Sequence, residues 1–166
     1  MEMDTLTELY VDELKDLWSA EKQILKALPT MVKAATSRPL KQGFREHERQ
    51  TREHVRRLER IFRMLGASPR GKKCVGMEGL LEEGSELIKE RPEADVLDAG
   101  LISAAQHVEH YEMAGYGTVR TWAKLLGHAD HAQLLQQTLN EEGDTDKALT
   151  KLAEAINVAA ENTDEE

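Results

Sequence analysis

Residues 6–28 read LTELYVDELKDLWSAEKQILKAL, and this stretch decides the fold. Leu6, Tyr10, Leu14, Leu17, Ile24 and Leu28 recur at helical spacing, and no glycine interrupts residues 5–36, so the pattern predicts one long amphipathic helix. Pro29 is expected to bend it near its end. One residue contradicts the pattern. Glu21 lies between Leu17 and Ile24, near the centre of the apolar arc, where no charge should face bulk water.

The rest of the chain repeats the theme. Ser37 offers an N-cap with Pro39 in the following first turn, and Phe44, Thr51, Val55, Leu58, Phe62 and Leu65 form an apolar face that ends at Gly66. This second helix should lie antiparallel to the first. From Gly66 to Pro92 the character changes: SPRGKKCVGMEG is rich in glycine and basic residues, and GLLEEGSELIKE predicts one short helix within a long connection. A third helix is expected to start near Pro92 and Asp95 and to last to Gly127, on Leu97, Leu101, Ala105, Val108, Tyr116 and Val119, with Gly115 and Gly117 weakening its middle. After LGHADH, a fourth carries Leu135, Leu139, Leu149, Ala153 and Ile156. No strand signal appears. Two helical hairpins joined by a long connection predict an all-α, ferritin-like antiparallel four-helix bundle whose crossover carries a short extra helix. The expected layout is one domain over residues 1–161 and a frayed acidic tail, NTDEE, at 162–166.

Composition agrees. Among 166 residues, 40% are hydrophobic, 4% aromatic and 32% charged, which excludes a collagenous, disulfide-rich or disordered chain and suits a helix-rich domain. Cys74 is the lone cysteine, so no internal disulfide is possible and a reducing cytoplasm is the simpler expectation. The acidic N-terminus does not resemble a secretory signal, and no stretch approaches the roughly 20 apolar residues that cross a bilayer. The net charge of −9 disfavours nucleic acid and anionic membrane as partners. A local exception is the stripe Arg45, Arg49, Arg52, Arg56, Arg60 and Arg63, read as a solvated face or subunit contact.

Projection at about 100° per residue identifies further polar residues on the wrong face. Glu112 sits between Val108, Tyr116 and Val119; Glu142 falls within the arc of Leu135, Leu149 and Ala153; Glu109 and His54 lie at the edges of theirs. The intervals match, since 54 − 21 and 142 − 109 both equal 33, so the residues of two hairpins of similar length could meet at one level. Four converging carboxylates need a cation, because an isolated buried charge costs several kcal/mol or more. Such a set is how a bundle builds a two-metal carboxylate site, and oxygen and imidazole ligands suit iron or manganese. The candidate metal residues are Glu21, His54, Glu109, Glu112, Glu142 and Asp146, the last an edge residue one turn beyond Glu142. His47, on the same face as His54, reads as a satisfied boundary histidine, His107 and His110 carry less signal still, and His128 and His131 read as part of a turn.

At this point the chain resembles the YciE/YciF family of ferritin-like bacterial stress proteins, from about residue 5 to residue 156. The segments that carry the resemblance are ELYVDELKDLWSAEKQILKALP, HERQTREHVRRLERIF, GKKCVGMEGLLEE, AAQHVEHYEMAGYGTVRTWAKLLG and LLQQTLNEEGDTDKALTKLA. The resemblance implies a rubrerythrin-like or ferritin-like bundle, often dimeric, associated with stress responses and proposed to bind metal, with no settled enzymatic activity. The positions matching the family's polar core are Glu21, His47, Gln50, Thr51, His54, Glu109, Glu112, Glu142 and Asp146. There are departures from a full dimetal centre. Such a centre carries Glu-x-x-His twice, whereas here Thr51 precedes His54 and Thr145 follows Glu142, which leaves one histidine at most to contact metal.

Two functions stay open at this level. One is a dimetal oxidoreductase or detoxifier that handles oxygen or peroxide. The other is a non-enzymatic homodimeric scaffold whose inward carboxylates are neutralised by local arginines. Tyr10, Tyr111, Tyr116, Trp18 and Trp122 read as core, with no catalytic role.

Overall fold

Thr5 starts the bundle with a reciprocal cap: its hydroxyl accepts from Glu8 N at 3.2 Å, and the Glu8 carboxylate accepts from Thr5 N at 2.9 Å. The computed structural model describes residues 3–162, which form five helices and no strand: α1 (Leu6–Ala34), α2 (Arg38–Leu65), α3 (Val75–Glu90), α4 (Ala94–Leu125) and α5 (Ala129–Asn162). The four long helices and the short crossover helix α3 are those the periodicity predicts. Pro29 is exposed and does not end α1, which runs on to Ala34. Gly115 and Gly117 do not interrupt α4. Of the expected acidic tail, Asn162 belongs to α5, and residues 163–166 lie outside the described residues.

Ser37 holds the N-cap position of α2, but its side chain makes no capping bond. The fully buried Asp98 of α4 closes this turn instead. Its Oδ1 accepts from Thr36 N at 2.7 Å, and its Oδ2 accepts from Ser37 N at 2.6 Å and from the Thr36 hydroxyl at 2.8 Å. Gly66, at φ +63°, ends α2 in the left-handed region. The crossover then carries the chain back along the bundle, with α3 packed on α1 and α4, so that α4 starts beside the α1–α2 turn. Consequently α1 and α5 each neighbour α2 and α4 in antiparallel fashion, whereas α2 and α4 run parallel across the diagonal. This is the ferritin-like arrangement.

The turn before α5 is shorter than LGHADH suggests. The helix starts at Ala129, so His131 lies in its first turn, buried, with Nδ1 3.1 Å from the Tyr10 hydroxyl and its ring stacked on His128 at 4.6 Å. The apolar interior is divided in two. Tyr10, Leu14, Leu17, Leu58, Phe62 and Val119 pack in one half, and Ile24, Leu28, Phe44, Leu101, Ile102 and Leu149 in the other. A polar layer at the level of Glu21 separates them.

Candidate metal centre

Each wall of the bundle contributes to that layer. Glu21 comes from α1, His47 and His54 from α2, Glu109 and Glu112 from α4, and Glu142 from α5, all buried. Helical spacing fixes their direction, because each occupies a position that an apolar residue would take in the same stripe. Two sets have potential ligand atoms within 4.8 Å of one another: His47, Glu109, Glu112 and Glu142 form one, and Glu21, His54 and Glu142 the other. Glu142 belongs to both.

His54 connects three carboxylates. Its Nδ1 lies 2.9 Å from Glu142 Oε1 and 3.3 Å from Glu21 Oε1, and its Nε2 lies 2.8 Å from Glu141 Oε2. Glu141 is in turn gripped by Arg57, whose Nη1 and Nη2 donate to Oε2 and Oε1, both at 2.8 Å. Those guanidinium bonds, together with His54, hold Glu141 down at about 2, so it is ionised and can only accept. His54 Nε2 therefore carries the proton, which leaves Nδ1 to face the centre. A carboxylate holding the outer N–H of a histidine is the usual way that an imidazole ligand is oriented. On the opposite wall the Tyr116 hydroxyl donates to Glu21 Oε1 at 2.5 Å. Thr51, where a complete motif would have Glu, donates its hydroxyl to the His47 carbonyl at 2.8 Å and leaves the centre.

Without a cation the layer is electrostatically crowded. Burial, then the charge of Glu142, pushes Glu109 and Glu112 well above the usual carboxylate range. Burial alone would lower His54, but the carboxylates of Glu21 and Glu142 outweigh it and hold the imidazole well above its ordinary value. Burial opposes the charge of Glu142, yet His54 keeps that carboxylate below its ordinary value. His47 is lowered by burial. Its Nε2 lies 3.1 Å from Glu109 Oε1, but the alignment is poor and neither ring nitrogen makes a hydrogen bond. Among the described residues, every buried side-chain nitrogen or oxygen without a hydrogen-bond partner belongs to this layer, except Arg120 Nε. Native interiors rarely leave such groups unsatisfied, and a set of lone pairs aimed at one volume fits a cation.

The structure thus brings together Glu21, His54, Glu109, Glu112 and Glu142. Asp146 stays outside: its Oδ1 is 3.2 Å from His110 Nε2 and 3.2 Å from Gln106 Nε2, because one turn beyond Glu142 the stripe has rotated toward α4's outer edge. Thr145 likewise turns away, donating to Gln50 Oε1 at 3.3 Å. His47, two turns before His54, lies beside Glu109, Glu112 and Glu142, so the layer contains two imidazoles. The spacing that placed His47 on the same face was the signal for it. Glu141, Arg57 and Tyr116 were not legible, because their roles depend on neighbours from other helices. The arginine stripe does not neutralise the layer: Arg49, Arg52 and Arg56 pair with Glu46, Glu48 and Glu53 on their own helix. Among the described residues, the ion-pair partners of Glu21, Glu109 and Glu142 are histidines.

A four-helix bundle with a helical crossover and a buried carboxylate–histidine layer defines a ferritin-like protein with groups that could hold metal. The chain belongs to the YciF family: a family model described as a domain of unknown function, DUF892, matches residues 5–161. Protein YciF of Escherichia coli K12 is 42% identical over 164 residues, 98% of this chain and 99% of that protein. The crystal structure of the E. coli stress protein YciF superposes with a TM-score of 0.90 at 41% identity, covering 93% of this chain and 98% of that one. YcfI from Rhodopseudomonas palustris gives 0.87 at 41% identity over 90% and 97% of the two chains. A Xanthomonas campestris protein at 21% identity shares the fold, with a TM-score of 0.76 over 97% and 99%.

Proposed function

We propose that this chain is a YciF-like stress protein whose core holds two iron or manganese ions and handles oxygen or peroxide in the cytoplasm, working as a homodimer. The observation that carries the reading is the concentration of unpartnered buried donor atoms in one layer, drawn from all four long helices. Carboxylate oxygen with imidazole nitrogen suits iron or manganese, and no cysteine joins the set. When bound, such ions supply redox equivalents to oxygen or peroxide. The protein's own part is to orient and to shield. Glu142 is positioned to be shared, His54 is held in one tautomer by Glu141 and Arg57, and Tyr116 fixes Glu21. The apolar clusters on either side exclude bulk water.

Anaerobic titration with ferrous ion tests this. About two equivalents should bind to the wild type, fewer than one to Glu142→Ala, and about one to His47→Ala, because only Glu142 belongs to both sets. Addition of oxygen should then produce near-ultraviolet absorption, and addition of hydrogen peroxide to a parallel sample should lead to its consumption, both being lost in Glu21→Ala and Glu112→Ala. Elemental analysis of protein from metal-replete cells showing no iron or manganese would sink the reading.

A second reading, a non-enzymatic homodimeric scaffold, draws on the exposed Met3, Leu6, Met64 and Leu125, which cluster at one end of the bundle. It requires that chelators change neither melting temperature nor association state, and that charge reversal at Arg49 and Arg56 change one of them.

A further inference from the structure

An apolar cavity of about 190 Å³ lies beside the polar layer, on the side of the bundle toward the α1–α2 turn. Ile24, Leu28, Phe44, Ala105 and Leu149 form its walls. Its inner end is different. There it is lined by His47 and Glu109, two members of the candidate metal set. His47 is 5% exposed and both of its ring nitrogens lack a hydrogen-bond partner. The remaining polar lining, Glu46, Gln50, Asp144 and Thr145, comes from α2 and α5 and is partly or fully exposed, which places the mouth between those helices. Gly43 lies at that mouth, where an added Cβ would reach ordinary contact with Leu152 Cδ1 at 3.7 Å, so a bulkier side chain would narrow the gap between α2 and α5.

Interiors close-pack, so a void of this size next to a reactive layer is unusual. A dry cavity of roughly 150 Å³ lined by aliphatic and aromatic side chains accepts benzene. The lining also restricts the charge of an occupant. Glu46 and Asp144 at the mouth repel an anion, and the hydrocarbon walls offer a cation nothing that the carboxylate layer does not offer better. We propose that this cavity binds one small neutral apolar molecule, of the size of benzene to indole, with an edge against His47 and Glu109. That such a molecule is a reactant at the centre rests on the function proposed above; its binding does not.

The test adds toluene and indole to metal-free protein and to protein loaded with manganous ion, read by calorimetry in both forms and by nuclear magnetic resonance contacts to methyl groups in the metal-free form. Saturable one-to-one binding is expected in both forms, with contacts to the methyls of Ala105 and Leu149. Ala105→Leu, which fills the cavity, should weaken it at least tenfold without changing metal uptake, and Gly43→Val, at the mouth, should do the same if Ala105→Leu does not fold. Binding that persists in samples that take up no metal supports the cavity site while removing the metal reading. No saturable binding to wild type, contacts elsewhere, or binding unchanged in both variants overturns the proposal.

Discussion

His47 on α2 and Glu109 on α4 meet across the diagonal of the bundle, with Nε2 and Oε1 3.1 Å apart and both side chains buried. These helices run parallel and share little other contact, so the pair exists because both residues point to the axis. No hydrogen bond satisfies either histidine nitrogen, and Glu109 Oε2 is also unpartnered. The layer is built with more acceptors than the protein can satisfy.

Its pH dependence follows from that excess. Glu109 and Glu112 titrate above the ordinary carboxylate value of 4.5, and His54 above the ordinary imidazole value of 6.5, so the metal-free folded chain binds protons more tightly than the unfolded chain. Stability from these groups is present at low pH and is lost as pH rises through their folded values. His47 has the opposite sign, but its effect is complete once pH exceeds 6.5. The melting temperature of metal-free protein should therefore fall as pH is raised from the ordinary imidazole value of 6.5 into the alkaline range. Metal-loaded protein should not show the fall, because the cations replace the protons. Thermal melts of both forms across that range are the check.

Arg57 and Glu141 act on the centre through His54. Arg57→Ala or Glu141→Gln should lower metal affinity by about 10–100-fold while leaving the fold intact, in keeping with loss of a carboxylate that orients a histidine ligand. Competition with a chelator of known affinity measures this. Unchanged affinity would mean that His54 needs no such support.

Asp98 holds the α1–α2 turn, at the far end from the site's midpoint. Asp98→Ala leaves Thr36 N, the Thr36 hydroxyl and Ser37 N without their shared acceptor and should destabilise the protein by about 2 kcal/mol, part of the loss being recovered by water because Thr36 is exposed. Metal content should match that of wild type. Denaturant unfolding and elemental analysis together separate the two effects.

Two glycines of α4 should respond in opposite directions. A Cβ at Gly115 would sit 2.7 Å from Leu17 Cδ2, and Leu17 is 1% exposed with no room to yield, whereas Gly117 has nothing within 4 Å. Gly115→Ala should cost about 1–3 kcal/mol through overpacking. Gly117→Ala should stabilise by about 1 kcal/mol, the ordinary helix preference for alanine. Chemical denaturation resolves both.

Much of the molecule was readable in one dimension. The stripe through Tyr10, Leu14, Leu17 and Ile24, with Glu21 set among them, fixed both the helix and the anomaly, because a 3.6-residue repeat maps sequence position onto helix face. The equal 33-residue intervals placed Glu21 with His54 and Glu109 with Glu142, since antiparallel hairpins of like length bring equivalent levels together. What a helix face cannot encode is which residue on a neighbouring helix it will meet. Assembly of the four walls alone decided that Asp146 leaves the cluster, that Asp98 rather than Ser37 closes the first turn, and that Arg57 reaches Glu141 instead of an inward carboxylate. Those outcomes depend on the rotation of each helix about its axis and on the offset between helices. Both are set by side-chain packing from the whole interior and not by any local spacing.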